Sequence, residues 1–242
     1  MRTACWLLLL SGSLIVQPDN VPPLFKTYAP KMTFYYKSPD ATLGPKMLKD
    51  LLKEENITHP FFDKNGHVLT IVAAQLGDIA AGKSEIVRQY EAEFATAPTA
   101  GRKVILRALA NCGDKETGKR VGGWLADPRF ADLRGDLEAL QKHLADPKRQ
   151  HVRDRPAKSP DDLDLLWSNF FITGEYSPIA RILDVFDLPD AKENEVLKRV
   201  AKWSLGSNLQ QHPKLVELVE KNKKDRPEGS KKVIGELIIK SP

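Results

Sequence analysis

Cysteine is nearly missing from this 242-residue chain, which has only Cys5 and Cys112. Two cysteines do not staple a small secreted scaffold, and without a Cys-x-x-Cys pair the commonest zinc ligand set is excluded. Aromatic residues make up 7% of the chain. They do not alternate with cations in the way a stacking platform for nucleic acid requires. Neither sign of charge dominates. Thirty-seven Lys and Arg are set against 32 Asp and Glu, a net +5, and this near balance is not the footprint of a dedicated nucleic-acid binder. No uninterrupted apolar run approaches the roughly 20 residues of a membrane span. What remains is an ordinary globular composition, 41% hydrophobic and 29% charged. Its length suits one large domain or two small ones.

The first 17 residues have the layout of a secretory signal peptide. Arg2 precedes an apolar stretch at 4–16 that Pro18-Asp19-Asn20 closes, matching the charged and apolar regions of an export signal. Ser11 and Ser13 supply small residues without a clean Ala-x-Ala. The expectation is a periplasmic or secreted protein with no membrane span in the mature chain. The alternative is a chain anchored by residues 4–16. Cys112, the one thiol left after removal of the signal, reads as a small buried apolar residue at a helix end.

Residues 18–41 hold Pro18, Pro22, Pro23, Pro30 and Pro39 among Phe25, Tyr28, Phe34, Tyr35 and Tyr36. Proline at that density predicts an extended segment anchored by its aromatics. Beyond it the period is helical. Leu43, Met47, Leu48, Leu51 and Leu52 form one stripe. Val68, Leu69, Val72 and Leu76 form a second, ending near Gly77. Val104, Ile105, Ala108, Leu109 and Cys112 form a third, stopped by Gly113. Phe130, Leu133, Leu137, Leu140 and Leu144 make the cleanest amphipathic pattern of the first half. The cationic, proline-containing stretch 146–158 reads as a solvated linker between a first helical block, 42–145, and a second, 159–242.

The second block opens on Ser159-Pro160-Asp161-Asp162, an N-cap followed by first-turn proline and acids. Leu163, Leu166, Trp167 and Phe170 follow as its buried face, with Gly174 as the stop. A later stripe carries Val196, Leu197, Val200 and Ser204 with Trp203 beside it. Both tryptophans are expected in a core shared by consecutive helices, the other option being an aromatic binding groove. The fold class is all-α: an irregular, helical-repeat-like array of about ten short antiparallel helices behind an extended aromatic N-terminal segment. No fixed repeat period is present.

Several patterns resemble chemistry. Gly113-Asp114-Lys115-Glu116-Thr117-Gly118-Lys119 matches a phosphate-binding loop but ends in Arg120, where magnesium needs Ser or Thr, and a helix precedes it instead of a strand. A polar turn is the better reading. His59 and His212 each precede a proline and suit turns, and His67, His143 and His151 show no metal-binding spacing. Asp161, Asp162 and Asp164 lie at a helix start, where they stabilise the dipole. The cationic run at 221–232, like the one at 148–158, is broken by acids and reads as solvated. No catalytic, cofactor-binding or metal-ligating residue is assigned, and no cofactor is expected.

Three stretches belong together: Phe34-Tyr35-Tyr36-Lys37-Ser38-Pro39, Leu166-Trp167-Ser168-Asn169-Phe170-Phe171-Ile172-Thr173-Gly174-Glu175, and Ala201-Lys202-Trp203-Ser204-Leu205-Gly206-Ser207-Asn208 with His212-Pro213. In combination they resemble a family of uncharacterised, exported, all-helical bacterial proteins, over roughly residues 34–220. The resemblance implies export and a helical fold, and brings neither an activity nor catalytic residues. The expected function is therefore a non-catalytic binding or scaffold protein of the bacterial envelope, with another envelope protein as partner and no nucleic acid. The alternative is an envelope enzyme, of hydrolytic type, assembled from distant residues: Glu175 and Tyr176 with His143 or His151.

Overall fold

Proline does not keep the N-terminal segment extended. In the computed structural model, which describes residues 21–238, the segment expected to be extended contains helix α1, Pro23–Thr33, and a 3-10 turn, Tyr35–Lys37. The placement of the prolines explains this. Pro22 is the N-cap and Pro23 opens the first turn, where the missing N–H has no partner to lose. Only Pro30 lies inside the helix. Burial offsets its lost hydrogen bond: Leu24, Phe25, Tyr28, Ala29 and Met32 line one buried face. Phe25 meets the rings of Phe61 and Phe62 at 6.0 and 5.9 Å, and the Tyr28 hydroxyl donates to Asp50 at 2.6 Å. The signal-like residues 1–17 lie outside the described residues.

The rest of the described chain is also helical, with no strand among the described residues. The helices of eight or more residues that follow are α2 (Leu43–Leu51), α3 (Gly66–Ala80), α4 (Ser84–Phe94), α5 (Thr99–Cys112), α6 (Lys115–Ala126), α7 (Arg134–Ala145), α8 (Pro160–Thr173), α9 (Ser177–Asp184), α10 (Lys192–Leu209), α11 (Pro213–Asn222) and α12 (Glu228–Ile238). The fold is thus all-α, a succession of short helices joined by short turns. None of the described helices is long and apolar enough to cross a membrane. Two compact units divide between His151 and Val152.

The first unit is built around α3. Its residues are buried on nearly every side, from Val68 to Ala80, as a helix apolar all round must be. Gly77 does not end this helix. A Cβ there would come within 2.6 Å of the Ala108 carbonyl and of Asn111, so Gly77 is where the backbones of α3 and α5 touch. The helix ends instead before Gly82, which takes a left-handed φ of 71°. Gly113 and Gly174 are C-caps of α5 and α8 in the same conformation, as the sequence predicts. Phe130 and Leu133 are buried but belong to a 3-10 turn, Pro128–Leu133, that leads into α7.

The two units divide within the largely exposed stretch 146–158, yet several of its side chains are held. On the first unit's side, Arg149 donates to the Gly113 carbonyl at 2.6 Å and His151 lies 3.2 Å from Asp78. On the second unit's side, the Arg153 guanidinium reaches Glu175 at 2.7 Å and the Ser177 hydroxyl meets Asp154 at 3.2 Å. Arg149 and Arg153 are thus each used in a short bond within their own unit.

In the second unit α8 packs on α9 and α10. The Ser159 side chain accepts from the Asp162 N–H at 3.2 Å, and the Asp162 carboxylate accepts from Ser159 Oγ and the Lys158 N–H, both at 2.9 Å. Trp167 is 1% exposed and lies against Phe170 and Phe171. Its indole N–H donates to Ser204 Oγ on α10 at 3.1 Å, and that hydroxyl donates onward to the Ala201 carbonyl at 3.1 Å. A further anchor closes the unit. Arg226, in the run expected to be solvated, is largely buried and pairs with Asp184.

Removing the Trp167 ring should therefore destabilise the second unit. Trp167→Ala is expected to cost about 3–5 kcal/mol, the usual loss for a large core aromatic. A urea titration followed by circular dichroism checks this, and an unshifted midpoint would contradict burial.

Candidate functional site

The outer face of α10 is set by what its inner face must hold. Leu197, Ala201, Ser204, Leu205 and Asn208 are buried, with Ser204 fixed by the Trp167 indole and Asn208 Nδ2 bonded to the Ser204 carbonyl at 2.9 Å. His212, just beyond the helix, is fully buried and stacks on Phe171 at 5.1 Å. The conspicuous residues of the two motif stretches in this unit thus meet as one buried polar and aromatic layer, and their role is to join α8 to the α10–α11 corner.

With Ser204 and Leu205 both turned inward, Trp203 stands about 100° and 200° round the axis from them and faces outward. Trp203 is 45% exposed and Val196 is 49% exposed, and these are the exposed large hydrophobics among the described residues. This corrects the expectation that Trp203 shares the core with Trp167. The buried stripe is 197/201/204/208, one residue over from the more apolar 196/200/203. The Trp167–Ser204 hydrogen bond decides the rotation, and a count of apolar residues does not reveal it. Lys192 and Arg199 are exposed on the same side, giving an outer row of Lys192, Val196, Arg199 and Trp203. Lys198 and Lys202, off this row, are paired with Asp190 at 2.7 Å and Glu236 at 2.6 Å.

The first unit offers a concave feature instead, a groove of ≈ 280 Å³ between α2 and α4. Leu48 and Tyr90 form its buried floor, and Lys46, Lys49, Gln89 and Glu93 stand along its walls. Burial raises the Tyr90 hydroxyl pKa, and the group donates to the Leu76 carbonyl at 3.2 Å.

The remaining candidates have structural duties. The phosphate-loop look-alike is a junction of two helices. Gly113 caps α5, and the Asp114 side chain accepts from the Glu116 N–H at 3.3 Å to start α6. Arg120 and Thr117 both bond to the buried carboxylate of Glu91, at 2.5 and 2.9 Å. His59 Nδ1 accepts from the Phe61 N–H at 3.2 Å in a turn. No group of three or more His, Cys, Asp or Glu side chains among the described residues could hold a metal ion. Cys112 is half-buried, and burial pushes its thiol up to about 11, so it stays protonated and unreactive near neutrality. Glu175 and Tyr176 belong to the second unit and His143 and His151 to the first. The Glu175 carboxylate is exposed and paired with Arg153 at 2.7 Å.

Asp164 departs from its expected role. Asp161 and Asp162 lie in the first turn of α8, whereas Asp164 is buried. Burial, with the nearby Asp161 charge, raises its carboxyl to about 8.

No family model, curated protein or solved structure matches the chain. The three motif stretches therefore bring no residue roles from elsewhere.

The raised Asp164 carboxyl has a definite pH signature. The folded state holds the proton up to about pH 8, while the unfolded state releases it near pH 4. Its penalty is therefore absent below about pH 4, grows as pH rises from 4 to 8, and is complete above that. Asp164→Asn should leave the melting temperature unchanged at pH 4 and raise it at pH 9. Equal melting temperatures at pH 9 would show that the carboxylate is solvated.

Proposed function

We propose that this chain is an exported, non-catalytic binding or scaffold protein of the bacterial envelope, and that another envelope protein docks on the outer face of α10. One observation carries the docking site: Val196 and Trp203, exposed on one helix face while 56 hydrophobic residues of the described chain are buried. Tryptophan is costly to leave in water and enriched at binding hot spots. Two polar side chains of the second unit support the same reading, since Ser204 and Glu175 are engaged in internal bonds. Export rests on the sequence of residues 1–17. Retention of residues 4–16 would anchor the same protein to the membrane without changing the docking face. The enzyme reading centred on Glu175 gains no support from a carboxylate held by Arg153 on the surface.

Affinity capture from a bacterial envelope extract tests this. The wild-type protein is expected to retain a specific partner that Trp203→Ala, with unchanged melting temperature, releases. Capture of no specific partner, together with turnover of a substrate by the purified protein, would overturn the proposal.

A further inference from the structure

We infer that the partner of α10 is an amphipathic helix with two apolar residues seven positions apart and a carboxylate between them. The inference rests on the partner-binding reading and specifies the chemistry of that partner. Val196 and Trp203 are two helical turns apart, about 10.5 Å along the axis and within about 20° of the same meridian. That spacing is the anchor pattern an amphipathic helix presents. Arg199 lies between the two anchors, toward one side, and Lys192 extends the row. Neither makes an ion pair among the described residues, although Glu195 precedes Arg199 by four positions, whereas Lys198 and Lys202 next to the row are both neutralised. Glu193 and Glu195 stand about 60° and 100° round the axis from Val196, toward the two flanks.

The row also discriminates between occupants. A second copy pairing its α10 antiparallel would place Trp203 of one copy on Val196 of the other, whereas a parallel pair, stacking Trp203 on Trp203, is tested by light scattering. The two-fold axis of the antiparallel pair passes beside position 199 and sets two Arg199 guanidinium groups opposite each other. Like charges so placed at a two-fold axis oppose association. A different helix with Asp or Glu at that point meets Arg199 in a charge-assisted pair, and its two apolar residues cover Val196 and Trp203.

Two fluorescein-labelled 18-residue helical peptides provide the probe. Both carry Leu at positions 6 and 13; one has Glu at positions 9 and 10, and its twin has Lys there. Fluorescence anisotropy is titrated against the full chain. The Glu peptide should bind at least about tenfold more tightly than the Lys twin. Trp203→Ala should weaken binding of the Glu peptide at least about tenfold, and Arg199→Glu should invert the preference. Arg199→Gln, which removes the charge without reversing it, should make the two peptides equal. All three substitutions are on the exposed face, so unchanged melting temperatures certify the fold. Equal binding of the two peptides to the wild type, no binding of either, or a preference that survives Arg199→Glu would overturn the inference. So would a dimer in light scattering that Trp203→Ala dissolves, since the occupant would then be a second copy. If envelope capture remains dependent on Trp203 while the peptide preference fails, the docking site stands and only the chemistry assigned to its partner is wrong.

Discussion

The second unit depends on one buried hydrogen bond, from the Trp167 indole N–H to Ser204 Oγ. An indole buried among Phe170 and Phe171 must find an acceptor or bear the cost of an unsatisfied donor, on the order of 1–3 kcal/mol. Ser204 supplies that acceptor and donates its own O–H to the Ala201 carbonyl. The bond therefore fixes α10 in rotation as well as in position. A turn of one residue would bury Trp203 and Val196 and expose Ser204, leaving Trp167 without a partner. The exposed row is thus a direct consequence of satisfying a buried one.

Much of the architecture was legible in the sequence because it rests on local chemistry. Gly113 and Gly174 end helices since a left-handed residue without Cβ closes the last turn cheaply. Ser159-Pro160 starts a helix because the side chain and the missing N–H both suit the first turn. What was not legible depends on partners distant in sequence. The prolines of α1 suggested an extended chain, but the aromatic contacts with Phe61 and Phe62 form only in the fold. Gly77 suggested a stop, but its neighbour is α5, more than 30 positions later. Arg149 suggested a solvated cation, but its acceptor, the Gly113 carbonyl, lies 36 positions earlier.

The candidate site was half visible for the same reason. The motif stretches identify residues of consequence, and the structure brings Trp167, Ser204, Asn208 and His212 into one layer. The chemistry in that layer is structural. The residues left for a partner, Val196, Arg199 and Trp203, are distinguished only by which way α10 is turned. That orientation depends on a contact spanning 37 positions of sequence, which no local period encodes. Asp164 shows the converse. It sits among helix-start acids, yet its side chain is carried into the interior, where burial raises its pKa.

The contrast between the two tryptophans is the most direct handle on this account. Hydrogen exchange of the indole N–H resonances in the intact purified protein, assigned with single Trp→Phe variants, reads both at once. The account predicts a strongly protected Trp167 indole, protection lost in Ser204→Ala, and a Trp203 indole that exchanges nearly as fast as free indole. A Trp203 indole as protected as that of Trp167, or a Trp167 indole exchanging freely in the wild type, would contradict it.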